Sequence, residues 1–259
     1  MLDYHIGDDL NAPLDNLWFT LLFKRRSILL ERSEDFQRLL SLFFYRASGG
    51  TGIPDEQREQ VLRLARVGRM QHSPEWLKER ADSFLNGMTA WRAGQSWGWK
   101  EPNTHMIIDR IFEFQHELRY IHFVRHPLDM ALSSNQTQLQ NWGPILLNRD
   151  VAIEPRQSLA YWCAAHRRIV SFLQRWPERT LVVDFDALCE EPDLHSERIA
   201  AFVGAEMPDS VRSEFHHFVV RPQSAGRYKT VDPGQFDPVD LRYVTALGYQ
   251  AWTSVGAGP

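Results

Sequence analysis

Trp97-Gly98-Trp99-Lys100-Glu101-Pro102-Asn103-Thr104-His105, followed after one helix's worth of residues by Tyr120-Ile121-His122-Phe123-Val124-Arg125-His126-Pro127-Leu128-Asp129-Met130-Ala131-Leu132-Ser133, is the stretch whose reading decides the fold. Two short apolar runs, Ser96 to Trp99 and Leu118 to Val124, each end in a cation and a turn signal. This order predicts a strand, a crossover helix within Asn103 to Glu117, and a second strand parallel to the first. Leu118 to Val124 is rich in aromatic and β-branched residues and almost continuously apolar, the pattern of a strand buried on both faces of a parallel sheet.

Arg125 then stands where that strand emerges. Pro127 suits the first position of a helix and Asp129 its electropositive first turn, which puts Ser133 about two turns in. Open α/β sheets bind ligands outside the carboxyl ends of their strands, where helix N-termini favour anions. An Arg at that edge with a Ser eight residues on can hold a phosphate by a fork of N–H donors plus a hydroxyl. Lys100 leaves the first run at the same edge if the two strands are parallel neighbours. Lys100 and Arg125 would then converge on one anion.

At these residues the chain resembles the PAPS-dependent sulfotransferases, which transfer a sulfuryl group from 3′-phosphoadenosine 5′-phosphosulfate. The likeness rests on Lys100-Glu101-Pro102 followed by Val124-Arg125-His126-Pro127-Leu128-Asp129-Met130-Ala131-Leu132-Ser133, with a close match over about residues 96 to 142 and a looser one to about residue 250. The Lys-Glu-Pro form is similar to the protein-tyrosine sulfotransferases and their bacterial relatives. The resemblance implies an α/β fold, a mostly parallel sheet flanked by helices as in P-loop NTPases. It implies that Arg125 and Ser133 bind the 3′-phosphate of PAPS, that Lys100 faces the bridging oxygen of the leaving group, and that no metal is used. The partners so implied are the nucleotide cosubstrate and a small-molecule or peptide acceptor with a hydroxyl or amine.

One element of the family pattern is not found. A Gly-, Ser- and Thr-rich loop that wraps the 5′-phosphosulfate belongs after an N-terminal strand, whereas this chain opens Met-Leu-Asp-Tyr-His-Ile-Gly-Asp-Asp. Either that strand and loop are missing or another segment does their work. The alternative to an enzyme is therefore a sulfotransferase-like protein that binds only the nucleotide or a protein partner. A P-loop kinase is disfavoured, because no Gly-x-x-x-x-Gly-Lys-Ser/Thr occurs.

Three places offer a general base. His105 points to the cleft if Asn103 or Thr104 caps the helix there, and otherwise bonds its own helix start. Glu101 is a second candidate, with a family counterpart that is often structural. Asp8 or Asp9 stands where the tyrosine-type branch carries its carboxylate, and an exposed acidic pair is the plainer reading. Near the C-terminus, Val220-Arg221-Pro222-Gln223-Ser224-Ala225-Gly226-Arg227-Tyr228-Lys229 gathers cations, a Gly and a Ser in one loop. The family closes a basic, Gly-containing loop over the 3′-phosphate and adenine, which assigns cofactor contacts to Arg227 and Lys229; the plainer reading is a solvated surface loop. His122 reads as a satisfied strand residue, His126 as flanking the helix, and His216-His217 lack metal-ligand spacing.

Composition sets the frame. The 259 residues suffice for one large α/β domain with a substantial core, taken as a single domain over 1–259. With 29 basic and 33 acidic side chains, a net charge of −4 and no block of like charge, the chain carries no nucleic-acid or membrane-surface footprint. Cys163 and Cys189 cannot make a disulfide framework, and the acidic start has no secretory pattern, so a cytoplasmic location is expected. Leu17 to Phe23 is too short to span a bilayer.

Residues 13–92 read as a helical block on the acceptor side. Leu14, Leu17, Trp18, Leu21 and Leu22 share a face, as do Phe36, Leu39, Leu40, Phe43 and Phe44 after Ser33. Gly49 to Pro54 breaks the pattern, and further helices are predicted from Asp55 to about Gly68 and from an N-cap at Ser73 to about Met88. Beyond the central unit, Gln138 to Pro155 reads as a polar loop and Arg156 to Trp176 as a long helix. Arg179 to Phe185 reads as a strand, followed by a turn and a helix to Gly204. Asp237 to Leu247 is a final helix closed by Gly248.

Overall fold

The stripes of apolar side chains predicted after Ser33 become helices. The computed structural model describes residues 34–66, 73–87 and 98–249, and the chain divides into two units, Met1–Gln115 and His116–Pro259. The predicted helix around Leu14 to Leu22, Ser33, and the Asp8–Asp9 pair lie outside the described residues.

In the first unit, α1 (Glu34–Ala47) buries Phe36, Leu39, Leu40, Phe43 and Phe44, the predicted face. Helix α2 (Asp55–Arg66) carries Asp55 and Glu56 in its first turn and Arg63 and Arg66 in its last, matching the helix dipole at both ends. Ser73 caps α3 (Pro74–Asn86), accepting a hydrogen bond from the Trp76 amide at 3.2 Å. Arg46 is only 4 % exposed. Its guanidinium donates to the carbonyls of Phe84 (3.0 Å), Gly50 (2.5 Å) and Gly87 (2.5 Å), joining the end of α1, the glycine loop and the end of α3. Burial lowers its pKa, and three carbonyl dipoles take the place of water around the charge.

Asn103 to Glu117 holds the predicted helical interval, as a 3₁₀ turn at Thr104–Met106 and α4 (Ile108–Phe114). The predicted first strand, Ser96 to Trp99, is not reproduced where it is described: Gly98 to Lys100 form no ladder. Gly98 adds no side chain to a pleat and Pro102 no N–H to a ladder. Trp99 instead meets Phe43 and Phe44 edge-on, with ring centroids 6.2 Å from each.

In the second unit β1 (Tyr120–Val124) pairs in parallel with β2 (Thr180–Asp184), in the register Tyr120 to Thr180 through Val124 to Asp184. The crossover between them contains α5 (Pro127–Ala131), α6 (Thr137–Leu146) and α7 (Pro155–Arg175). Helices crossing between parallel strands make the architecture α/β. Among the described residues the parallel neighbour of β1 is thus the later strand β2, while Ser96 and Trp97 of the predicted first strand lie outside them. Burial on both faces of β1 is also corrected: Val124 is buried but Phe123 is 50 % exposed, since β1 pairs along one edge among the described residues. It is β2 that buries Thr180, Leu181 and Val183.

Two further readings change. The first half of the Gln138 to Pro155 passage is the helix α6, despite Gly143 and Pro144, because Leu139 and Trp142 lie one turn apart and are both fully enclosed, while residues 147–154 are loop as expected. Helix α5 stops at Ala131, so Ser133 lies beyond it instead of two turns inside. The chain continues through α8 (Phe185–Glu190), α9 (Pro192–Val203), α10 (Asp209–Phe218), a 3₁₀ turn at Arg227–Thr230 and α11 (Pro238–Ala246). Asp184 and Asp237 cap α8 and α11, and Gly204 and Gly248 follow α9 and α11 with φ of 73° and 94°. One cluster of the core joins Leu128 and Ala131 of α5 to Leu159 and Cys163 of α7 and to Tyr228, Phe236 and Val244. The α5 segment is thereby packed against the C-terminal part of the chain. No helix among the described residues is long and apolar enough to cross a membrane.

Candidate functional site

Arg125 follows the last residue of β1, which is where the period-2 strand hands over to Pro127 and α5. Its guanidinium carbon lies 5.7 Å from the centre of the Phe185 ring. Its Nε is buried and has no hydrogen-bond partner among the described residues. A buried charged donor left unmatched costs on the order of 1–3 kcal/mol or more. The neighbouring His126 is fixed on two sides. Its amide donates to Asp186 Oδ2 at 2.9 Å, and its ring stacks on Tyr228 with centroids 4.2 Å apart and planes 5° from parallel.

Ser133 sits in the turn after α5. Its amide reaches the Met130 carbonyl at 3.1 Å and its Oγ accepts from the Asn135 amide at 3.2 Å, which leaves the hydroxyl hydrogen to donate outward. Gln136 shapes this turn by donating from Nε2 to the Ser133 carbonyl at 2.7 Å and to those of Met130 and Ala131 at 3.3 Å. Its Oε1 in turn accepts from Ser158 Oγ of α7 at 2.9 Å, and Ser158 is buried.

The basic loop comes to the same turn. Arg227 donates from Nη1 to the Leu132 carbonyl at 3.2 Å and from Nε to the Ser224 carbonyl at 3.1 Å. Its Nη2 has no partner among the described residues. Lys229, two residues on, is exposed. Asp129, buried in α5, accepts from the amides of Gly226 (2.6 Å) and Tyr228 (3.1 Å), on either side of Arg227. The Tyr228 hydroxyl has a raised pKa, first through burial and then through the Asp129 charge. The second unit thus gathers Ser133, Arg227 and the start of α5 within one web of hydrogen bonds, beside an Arg125 whose Nε is unmatched.

The other predicted residues belong to the first unit and lie in one turn. Both Glu101 oxygens are engaged by Asn103, one by its amide at 2.7 Å and the other by its side-chain Nδ2. Asn103 therefore heads the 3₁₀ turn without a side-chain cap bond. His105 is buried with Nδ1 2.8 Å from the Pro102 carbonyl, so Nδ1 carries a hydrogen. Lys100 is largely exposed, yet desolvation by the protein around it lowers its pKa, while Glu101 acts in the opposite sense.

Other histidines are engaged in structural contacts. His122 Nδ1 lies 2.7 Å from the Tyr120 hydroxyl, and His216 Nε2 lies 2.7 Å from Asp193 Oδ1. A cleft of about 340 Å³ opens between the starts of α7 and α11. It contains none of the predicted residues, and the Arg156–Asp237 ion pair at 3.1 Å lies in its wall. Asp129, Gln136 and Ser158 were not legible as site residues. Asp129 reads in sequence only as a helix-start acid, and Gln136 and Ser158 carry no motif at all.

Comparison with known proteins gives a family match. The profile described as "Sulfotransferase family" matches residues 31–209, which is more than half of the chain. No curated protein matches it. Among solved structures, a "Sulfotransferase Domain from the Curacin Biosynthetic Pathway" is similar at 15% identity and a TM-score of 0.48, over 82% of this chain and 86% of that one.

Proposed function

The chain belongs to the sulfotransferase family, and from that premise we propose that it moves a sulfuryl group from 3′-phosphoadenosine 5′-phosphosulfate to a hydroxyl or amine of a small-molecule or peptide acceptor. The observation that carries this reading is Arg125, a cation at a strand end with its Nε buried and unmatched, next to the turn that presents Ser133. Arg125 and Ser133 take the 3′-phosphate, the first with charged N–H donors and the second with its hydroxyl. Arg227 Nη2 and Lys229 add positive charge from the loop above the turn.

In the transfer, the acceptor oxygen or nitrogen bonds to sulfur. The bond from sulfur to the bridging oxygen breaks, and its electron pair stays on the departing adenosine 3′,5′-bisphosphate. Lys100 meets the charge that grows on that oxygen, an interaction stronger in the transition state than before it. The acceptor's proton goes to a base, and His105 Nε2 is the candidate whose tautomer suits that role. Glu101, with both oxygens committed to Asn103, shapes the turn that carries the other two.

The test is calorimetric titration of adenosine 3′,5′-bisphosphate into the full chain and into Arg125→Ala. Micromolar binding by the parent is expected, weakened about 100-fold in the variant because about two charge-assisted bonds are lost. A folded parent that does not bind the nucleotide would sink the proposal.

A further inference from the structure

We propose that Asp129 is a positioning residue: its buried carboxylate latches the Gly226–Tyr228 segment onto α5 and so holds the loop cations over the Ser133 turn, which makes nucleotide affinity depend on a side chain that never touches the nucleotide. The inference rests on the reading of Arg125, Ser133 and Arg227 as the 3′-phosphate site.

Asp129 is 3 % exposed. A carboxylate at that depth persists only where hydrogen bonds replace its water, and here backbone amides far along the chain supply them. The Gly226 amide reaches Oδ2 at 2.6 Å and the Tyr228 amide reaches Oδ1 at 3.1 Å. The two donors bracket Arg227, so the residue between them has its backbone fixed from both sides. Its guanidinium is thereby held to the Leu132 carbonyl, one residue before Ser133. Gly226 has a φ of 84°, a left-handed conformation that a side chain disfavours and that brings its amide round to the carboxylate. The stack of His126 on Tyr228 closes the same junction from the Arg125 side. Favouring the start of α5 does not explain this arrangement, because that helix has only five residues and both carboxylate oxygens are taken by the loop.

Asp129→Asn keeps the shape and turns one acceptor into a donor facing an amide. The expected result, measured well below the melting temperature of the variant, is a rise of about tenfold or more in the Kd for adenosine 3′,5′-bisphosphate. Hydrogen exchange should speed up at the Gly226 and Tyr228 amides while the β1 and β2 amides keep their protection. The deciding measurement is a double-mutant cycle on that Kd with Arg227→Ala. A latch makes the two losses overlap, because Arg227 contributes little once the loop is released. Losses that multiply independently overturn the proposal, as does unchanged affinity in Asp129→Asn. Gly226→Ala, which leaves the carboxylate in place and strains only the loop, should weaken binding in the same direction, and serves if Asp129→Asn does not fold. Unchanged affinity in Gly226→Ala would also count against the latch. A parent that binds no nucleotide overturns the underlying site assignment, whereas a parent that binds as tightly as Asp129→Asn overturns only the role of Asp129.

Discussion

The Glu101–His105 turn and the Arg125–Ser133 turn are both polar, and both follow the end of a segment that reads as a strand, yet the side-chain hydrogen bonds that shape them differ in reach. In the first, Glu101 bonds Asn103 two residues away and His105 bonds Pro102 three residues away. In the second, Asp129 bonds Gly226 and Tyr228, 97 and 99 residues away, and Gln136 bonds Ser158 across 22. A turn closed by its neighbours forms wherever its sequence goes. A turn closed from a hundred residues away exists only in the finished fold, since the entropy of closing so long a loop must be recovered from the whole core. The chemistry divides along the same line: the local turn carries the residues proposed for transfer, and the long-range one those proposed for holding the nucleotide.

That division is open to attack, most strongly at Lys100. Lys100→Ala should lower kcat about 10²- to 10³-fold, as for loss of one donor to a developing charge, and leave the Kd for adenosine 3′,5′-bisphosphate within about twofold. A comparable loss of affinity would break the separation. The same residue predicts a pH profile. Lysine acts here as the cation, so turnover falls as pH rises through its pKa, and burial lowers that pKa below the ordinary 10.5. The alkaline limb of kcat should therefore begin below pH 10.5 and vanish in Lys100→Arg, whose charge persists; a limb unchanged by that substitution belongs to another group.

Ser133→Ala should act on the other side, weakening nucleotide binding about tenfold for the loss of one hydroxyl bond to a charged phosphate, with kcat at saturation little changed. Titration of both ligands against this variant reads the effect directly. The smallest expected change is in Glu101→Ala, which loses a local bond pair worth about 1 kcal/mol of stability. Its melting midpoint should fall by a few degrees while nucleotide affinity stays as in the parent. If affinity falls with it, the Glu101 turn also serves nucleotide binding.

How far these features were legible in the chain follows from the same contrast. Ser73 before Pro74 announces an N-cap, and it is one, because capping involves residues within one turn. The run Thr180 to Asp184 reads as a strand from its β-branched residues, and it is one. Signals of this kind failed where packing overrode them. Gly143 and Pro144 read as a break, yet α6 forms because Leu139 and Trp142 are enclosed on one face, which offsets the one backbone N–H that Pro144 removes from the ladder. Trp99 reads as part of a strand, yet meets the α1 aromatics from an irregular segment. The extent of α5 was misjudged for a related reason: Gln136 turns back onto the carbonyls of Met130, Ala131 and Ser133 and ends the helical path there.

By itself the sequence determined the family, the helices of the first unit after Ser33, the long helix α7 and the two paired strands as segments, because each depends on residue types at short spacing. Only the tertiary structure decided which strand pairs with β1, that Ser133 lies in a turn beyond α5, and that Asp129 belongs to the C-terminal loop more than to its own helix. Short-range order is set by backbone sterics and local hydrogen bonds, which a few adjacent residues specify. Long-range pairing is set by which buried polar groups find partners once the core has closed, and no spacing within the chain records that choice.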